Sequence, residues 1–88
     1  MSYHIDKIPH GEYGEISKII EEVKELQDAD KQQAEVMVIN ELADIIGAIE
    51  GFLIRHHPSI TLTDLIKMKD LTAKAFKSGH RAQRSTTS

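Results

Sequence analysis

The apolar residues of this chain fall into three runs with helical spacing. Ile16, Ile19, Ile20, Val23 and Leu26 recur every three or four residues, which puts them on one face of a helix from Glu15 to about Asp30. The polar stretch "DADKQQ" then reads as a connection. A second helix is expected from about Gln33 to His56. It is apolar on most sides, so it should be the central and most buried element. Pro58 disfavours helix at His57 and ends it. Thr61 opens a third helix, with Asp64 three residues on as its capping partner. Leu62, Leu65, Ile66, Ala73 and Phe76 form its expected inner face, and Gly79 is the expected stop after Ser78. Residues 1–14, with Pro9, Gly11 and Gly14, read as an arm, and residues 82–88 as a flexible tail. The pattern predicts one all-α domain over residues 1–88, with no internal repeat.

Length changes this picture. Three helices cannot cover one that is apolar nearly all round, and 88 residues supply only a marginal core. A four-helix-type bundle built by homo-oligomerisation, as a homodimer or homotetramer, solves both problems. A membrane span does not. The apolar run from Ala34 to Ile54 contains Glu35, Asn40, Glu41, Asp44 and Glu50. Each charge at bilayer depth costs about 2.5–3.5 kcal/mol. The first fifteen residues show no apolar signal core, and the chain has no cysteine, which fits a reducing cytoplasm.

Charge is divided unevenly. Residues 1–64 carry a net −8 and residues 65–88 a net +5, within a total of −3. A basic end on an acidic body suits either nucleic acid or a phosphorylated small molecule held near the acids. For Lys67 and Arg84 a solvated helix face is sufficient.

The acids themselves raise the chemical question. Glu22 and Glu25 lie side by side on the first helix, and Glu22 borders the apolar stripe, while Glu21 turns further toward solvent. Glu41 and Asp44 share a face of the second helix with Met37 and Ala48, so both should be partly buried. Burying isolated carboxylates costs several kcal/mol each unless they are paired or bind metal. Lys24 and Arg55 are the nearest expected cations in the two helices. Four carboxylates from two antiparallel helices suit a hard, oxygen-seeking ion, Mg²⁺ or Mn²⁺. A di-iron bundle would use Glu-x-x-His pairs, and the sequence has none. The five histidines show no ligand spacing. His56 and His57 are adjacent at a helix end.

Glu-Glu-x-x-Glu at Glu21, Glu22 and Glu25, then fifteen residues, then Glu-x-x-Asp at Glu41 and Asp44, resembles the signature of the MazG-like all-α nucleoside triphosphate pyrophosphohydrolases. The stretches "GEYGEISKIIEEVKELQDA", "NELADIIGAIEGFL" and "ITLTDLIKMKDLTAKAFKSGHR" look like the short, phage-encoded members of that group, over roughly residues 7–81. The resemblance implies hydrolysis of a nucleotide between its α and β phosphates, giving a monophosphate and pyrophosphate. It implies Glu22, Glu25, Glu41 and Asp44 as Mg²⁺ ligands, with Glu21 an added or supporting carboxylate. Glu21 and Glu25 are the candidates for the base that activates water.

On this reading the basic third helix meets phosphate. Lys69 falls on the expected inner stripe, where it either snorkels or reaches a buried anion. Lys69, Lys74 and Arg81 are the expected phosphate contacts. The chain has no Trp, and only Tyr3, Tyr13, Phe52 and Phe76 as aromatics, so base specificity is not legible. A tyrosine of the arm closing over a base is weighed against one that pins a loop, and the second is favoured.

Three further functions are weighed. Phosphoribosyl-ATP pyrophosphohydrolase activity belongs to the same fold group. A nucleic-acid-binding helical dimer leaves Glu41 and Asp44 without a role, which counts against nucleic acid. A purely structural oligomer predicts that neutralising those two carboxylates costs no function.

Overall fold

The computed structural model describes the backbone of residues 7–77 and the side chains of residues 7–73. It contains three helices, α1 (Ile16–Lys31), α2 (Glu35–His56) and α3 (Leu62–Lys77), and no strand among the described residues. The fold class and the order of elements match the sequence pattern. Residues 78–88, which include the expected Gly79 stop and the tail, lie outside the described residues, as do residues 1–6 of the arm.

α1 and α2 form an antiparallel hairpin joined by a tight turn. The N–H of Gln33 donates to the Asp30 carbonyl and that of Ala34 to the Ala29 carbonyl. This is a Schellman end, and it places Gln33 in the left-handed region at φ 56°. That position favours glycine. It also delays the start of α2 to Glu35, two residues later than the pattern suggests. Asp28 lies inside α1 rather than in the connection, and it is fully buried.

α3 opens on a reciprocal cap. The Thr61 N–H donates to Asp64 Oδ2 at 2.9 Å, and the Asp64 N–H donates to Thr61 Oγ1 at 3.1 Å. The expected capping pair is therefore present. Beyond it α3 makes only sparse contact with α2, whereas α1 and α2 pack along their length.

The interior is thin. Among the described residues, Ala29, Ala48 and Leu53 are the buried apolar side chains, against four buried acids, Glu21, Glu22, Asp28 and Glu41. α2 is not the most buried element within one chain. Val36, Ile39, Leu42, Ile46 and Ile54 are all exposed on it, Val36 at 70%. Among the described residues α1 alone packs along α2, and these side chains of its other sides have no cover there. Gly47 lies in open space as well, with no atom near the position a β-carbon would take. Among the described residues, no helix is long and apolar enough to cross a membrane.

Candidate metal centre

The hairpin brings its carboxylates together where the two helices face each other. Carboxylate oxygens of Glu22, Glu41 and Asp44 all lie within 4.8 Å of one another. A second group at the same spacing joins Glu21, Glu22 and Glu25. Glu22 belongs to both and is the hinge of the centre. The reason is geometric. Glu22 and Glu25 are one turn apart on α1, Glu41 and Asp44 one turn apart on α2, and antiparallel packing puts the two pairs opposite each other.

Burial within the centre is uneven. Glu41 is 2% exposed and Glu22 6%. Glu25 is half-buried, and Asp44 is exposed rather than partly buried as expected from its apolar neighbours. Those neighbours, including Leu42 and Ile46, are themselves exposed in the single chain. Glu21, expected to face solvent, is buried at 5%. The arm covers it. The Gly11 N–H donates to Glu21 Oε1 at 2.8 Å, and His10 Nδ1 lies 3.6 Å from Glu21 Oε2.

The protonation of these groups follows from their surroundings. Burial pushes Glu25 up, and a hydrogen bond with Glu22 and the charges of Glu22 and Glu21 push it further, to about 7. Burial and the charge of Asp44 raise Glu41. Glu21 moves the other way. Burial favours its neutral form, but the Gly11 N–H and the Lys18 ammonium outweigh that and lower it.

The nearest cation is one the sequence reading passed over. Lys18 Nζ lies 3.1 Å from Glu21 Oε1 and 3.2 Å from Glu22 Oε2. Its spacing of three and four residues from the two acids is the signal that would have found it. The expected cations act elsewhere. Lys24 is exposed. Arg55 Nη1 binds Glu12 Oε2 at 3.0 Å, Glu15 Oε2 at 2.9 Å and the Tyr13 carbonyl at 3.3 Å. It clasps the arm to the end of α2, and His56 adds a contact to Glu15 Oε1 at 3.1 Å. The Tyr13 ring abuts Gly51, where an added β-carbon would sit 2.5 Å from Tyr13 Cζ. In this setting Tyr13 pins the arm.

Of the expected phosphate contacts, Lys69 is exposed and paired with its neighbour Asp70, Nζ to Oδ1 at 2.6 Å. It does not sit on an inner face, because α3 packs too sparsely on α2 to create one there. The side chain of Lys74 and all of Arg81 lie outside the described residues.

The donor set fits a hard divalent ion: all its atoms are carboxylate oxygens, contributed by two rigid helices. Glu22 Oε1 fits the same conclusion, being buried without a hydrogen-bond partner among the described residues. No family model matches the chain, and neither a curated protein nor a solved structure matches it.

Proposed function

We propose that this protein is a divalent-metal-dependent nucleotide pyrophosphohydrolase, cleaving a nucleoside triphosphate between its α and β phosphates. The observation that carries the reading is the convergence of Glu22, Glu41 and Asp44 from two helices, with their oxygens within 4.8 Å. The resemblance of Glu21, Glu22, Glu25, Glu41 and Asp44 to the MazG-like signature supplies the reaction. Glu22, Glu41 and Asp44 hold Mg²⁺, or Mn²⁺ in its place, with Glu25 at the margin. When bound, the ion neutralises phosphate charge and lowers the pKa of a coordinated water.

Between the two candidates for the base, Glu25 is preferred. Its carboxylate lies beside Glu22, one turn along α1, and outside the Glu22, Glu41 and Asp44 group, where it could take a proton from a water the ion would hold. Glu21 Oε1 is already engaged by both the Gly11 N–H and Lys18. Glu21 therefore anchors the arm beside the centre.

The same reading takes the protein to be a homo-oligomer, a homodimer or homotetramer. The exposed Ile39, Leu42, Ile46 and Ile54 on α2 are the surface a second copy would cover in a four-helix-type bundle. Lys69, Lys74 and Arg81 remain the proposed phosphate contacts; a phosphate at Lys69 would have to replace its exposed ion pair with Asp70.

The test is incubation with each common NTP and dNTP, with Mg²⁺ and with EDTA, followed by ³¹P NMR. Monophosphate and pyrophosphate are expected, dependent on metal and abolished in Glu41→Gln. Release of orthophosphate, or turnover that survives EDTA, overturns the assignment. Turnover of phosphoribosyl-ATP alone would shift it to the related activity.

A further inference from the structure

Lys18 enters the reading above only as a partner of Glu21, yet it also touches the residue on which the centre turns. Its ammonium bridges Glu21 Oε1 and Glu22 Oε2, and the side chain is only 28% exposed. Glu22 is the acid shared by both carboxylate groups. One of its oxygens is thus held by a cation of the chain. The other, Oε1, is buried with no hydrogen-bond partner among the described residues, although the Glu22 side chain is only 8% exposed. A carboxylate in that state is half satisfied.

We propose that Lys18 is a built-in counter-cation of the metal centre: it occupies Glu22 in the metal-free chain, is displaced from it by the divalent ion, and so sets how tightly that ion is held. The inference rests on the metal reading of the preceding subsection. Three features support it. An ammonium and a divalent ion on one carboxylate repel each other, and the divalent ion brings the larger charge. The lysine head is a compact charge on a flexible four-carbon stem, so it can leave without moving α1. It also has a second seat, because Glu21 Oε1 lies within 3.1 Å and outside the Glu22, Glu41 and Asp44 group. Displacement therefore needs only the loss of one of two ion pairs. Lys18 in its resting position also offsets part of the repulsion among the clustered acids, which lets the metal-free hairpin form.

The experiment compares wild type, Lys18→Met and Lys18→Arg as full chains. Mn²⁺ binding is measured from the free-ion EPR signal, Mg²⁺ binding by calorimetry, and the melting temperature in EDTA. Met keeps the aliphatic stem and removes the charge. Lys18→Met is expected to bind either ion tighter, on the order of tenfold, from removal of one unit charge a few ångströms from a divalent ion in a water-like dielectric. It is also expected to melt lower in EDTA. Lys18→Arg should bind like wild type. Unchanged or weaker binding by Lys18→Met overturns the role of Lys18 and leaves the metal centre standing. No binding by any of the three overturns the metal centre itself.

If Lys18→Met does not fold, wild type still decides. In ¹³Cε-lysine NMR, with the signal assigned through Lys18→Arg, the Lys18 resonance should shift on addition of Mg²⁺. A resonance that stays in place through saturation overturns the displacement.

Discussion

At the scale of single residues, Glu25 has the clearest consequence for stability. Its carboxyl is raised from 4.5 to about 7 in the folded chain, so the folded state binds a proton that the unfolded state has released. The contribution of Glu25 is fully present below about pH 4.5 and is lost as pH rises through about 7. Glu41 is displaced in the same direction. The metal-free protein should therefore become less stable across this window. Glu25→Gln should flatten that part of the profile and raise the melting temperature in EDTA by a few degrees at about pH 8. Thermal melts in EDTA from about pH 4 to pH 8 check both statements; a Glu25→Gln profile parallel to wild type would refute them.

Legibility also divides at the residue scale. The meeting of Glu22, Glu41 and Asp44 could be read in advance, because helical spacing and an antiparallel hairpin are enough to place them. The burial of Glu21 could not. It is produced by Gly11 and His10, in an arm without regular structure, and no periodicity describes such a segment. Asp28 was hidden by composition: "DADKQQ" looks like a turn, yet Asp28 stands one helical turn beyond Glu25 and on the same side of α1. Lys69 was misplaced because an inner face exists only where something packs against it.

At the scale of elements, the two helix ends that flank α2 behave differently. The Schellman turn after α1 forces Gln33 into the left-handed region, at a cost of about 1 kcal/mol for a residue with a β-carbon. Gln33→Gly should raise stability by about that amount, partly offset by the added freedom of glycine in the unfolded chain. The Thr61–Asp64 cap is already satisfied, so Asp64→Ala should weaken the start of α3 by removing the acceptor of the Thr61 N–H. Because α3 is only sparsely joined to α2, that loss should fray α3 and leave the hairpin intact. Amide exchange would show it as faster exchange within 62–77 alone, and uniform acceleration through α1 and α2 would contradict it.

For the whole molecule, the imbalance between apolar core and exposed apolar surface dominates. Among the described residues the buried apolar side chains are Ala29, Ala48 and Leu53, while Ile39, Leu42, Ile46 and Ile54 of α2 stand in solvent. On the proposed reading a second copy covers them. Ile39→Asp with Ile46→Glu should then convert the protein to a monomer of lower stability, which sedimentation velocity would detect. A wild type that sediments as a monomer at all concentrations would reject the oligomer.

The Arg55 clasp has a kinetic consequence. It joins the arm to the end of α2 through residues 40 or more apart in the chain, at the end of the hairpin opposite the covalent turn. Zipping of the two helices from that turn brings those residues near each other, so the clasp forms late, on the native side of the folding barrier. Its removal by Arg55→Ala should accelerate unfolding and leave the folding rate almost unchanged. High salt, by screening the same exposed ion pairs, should tilt a chevron plot in the same lopsided way.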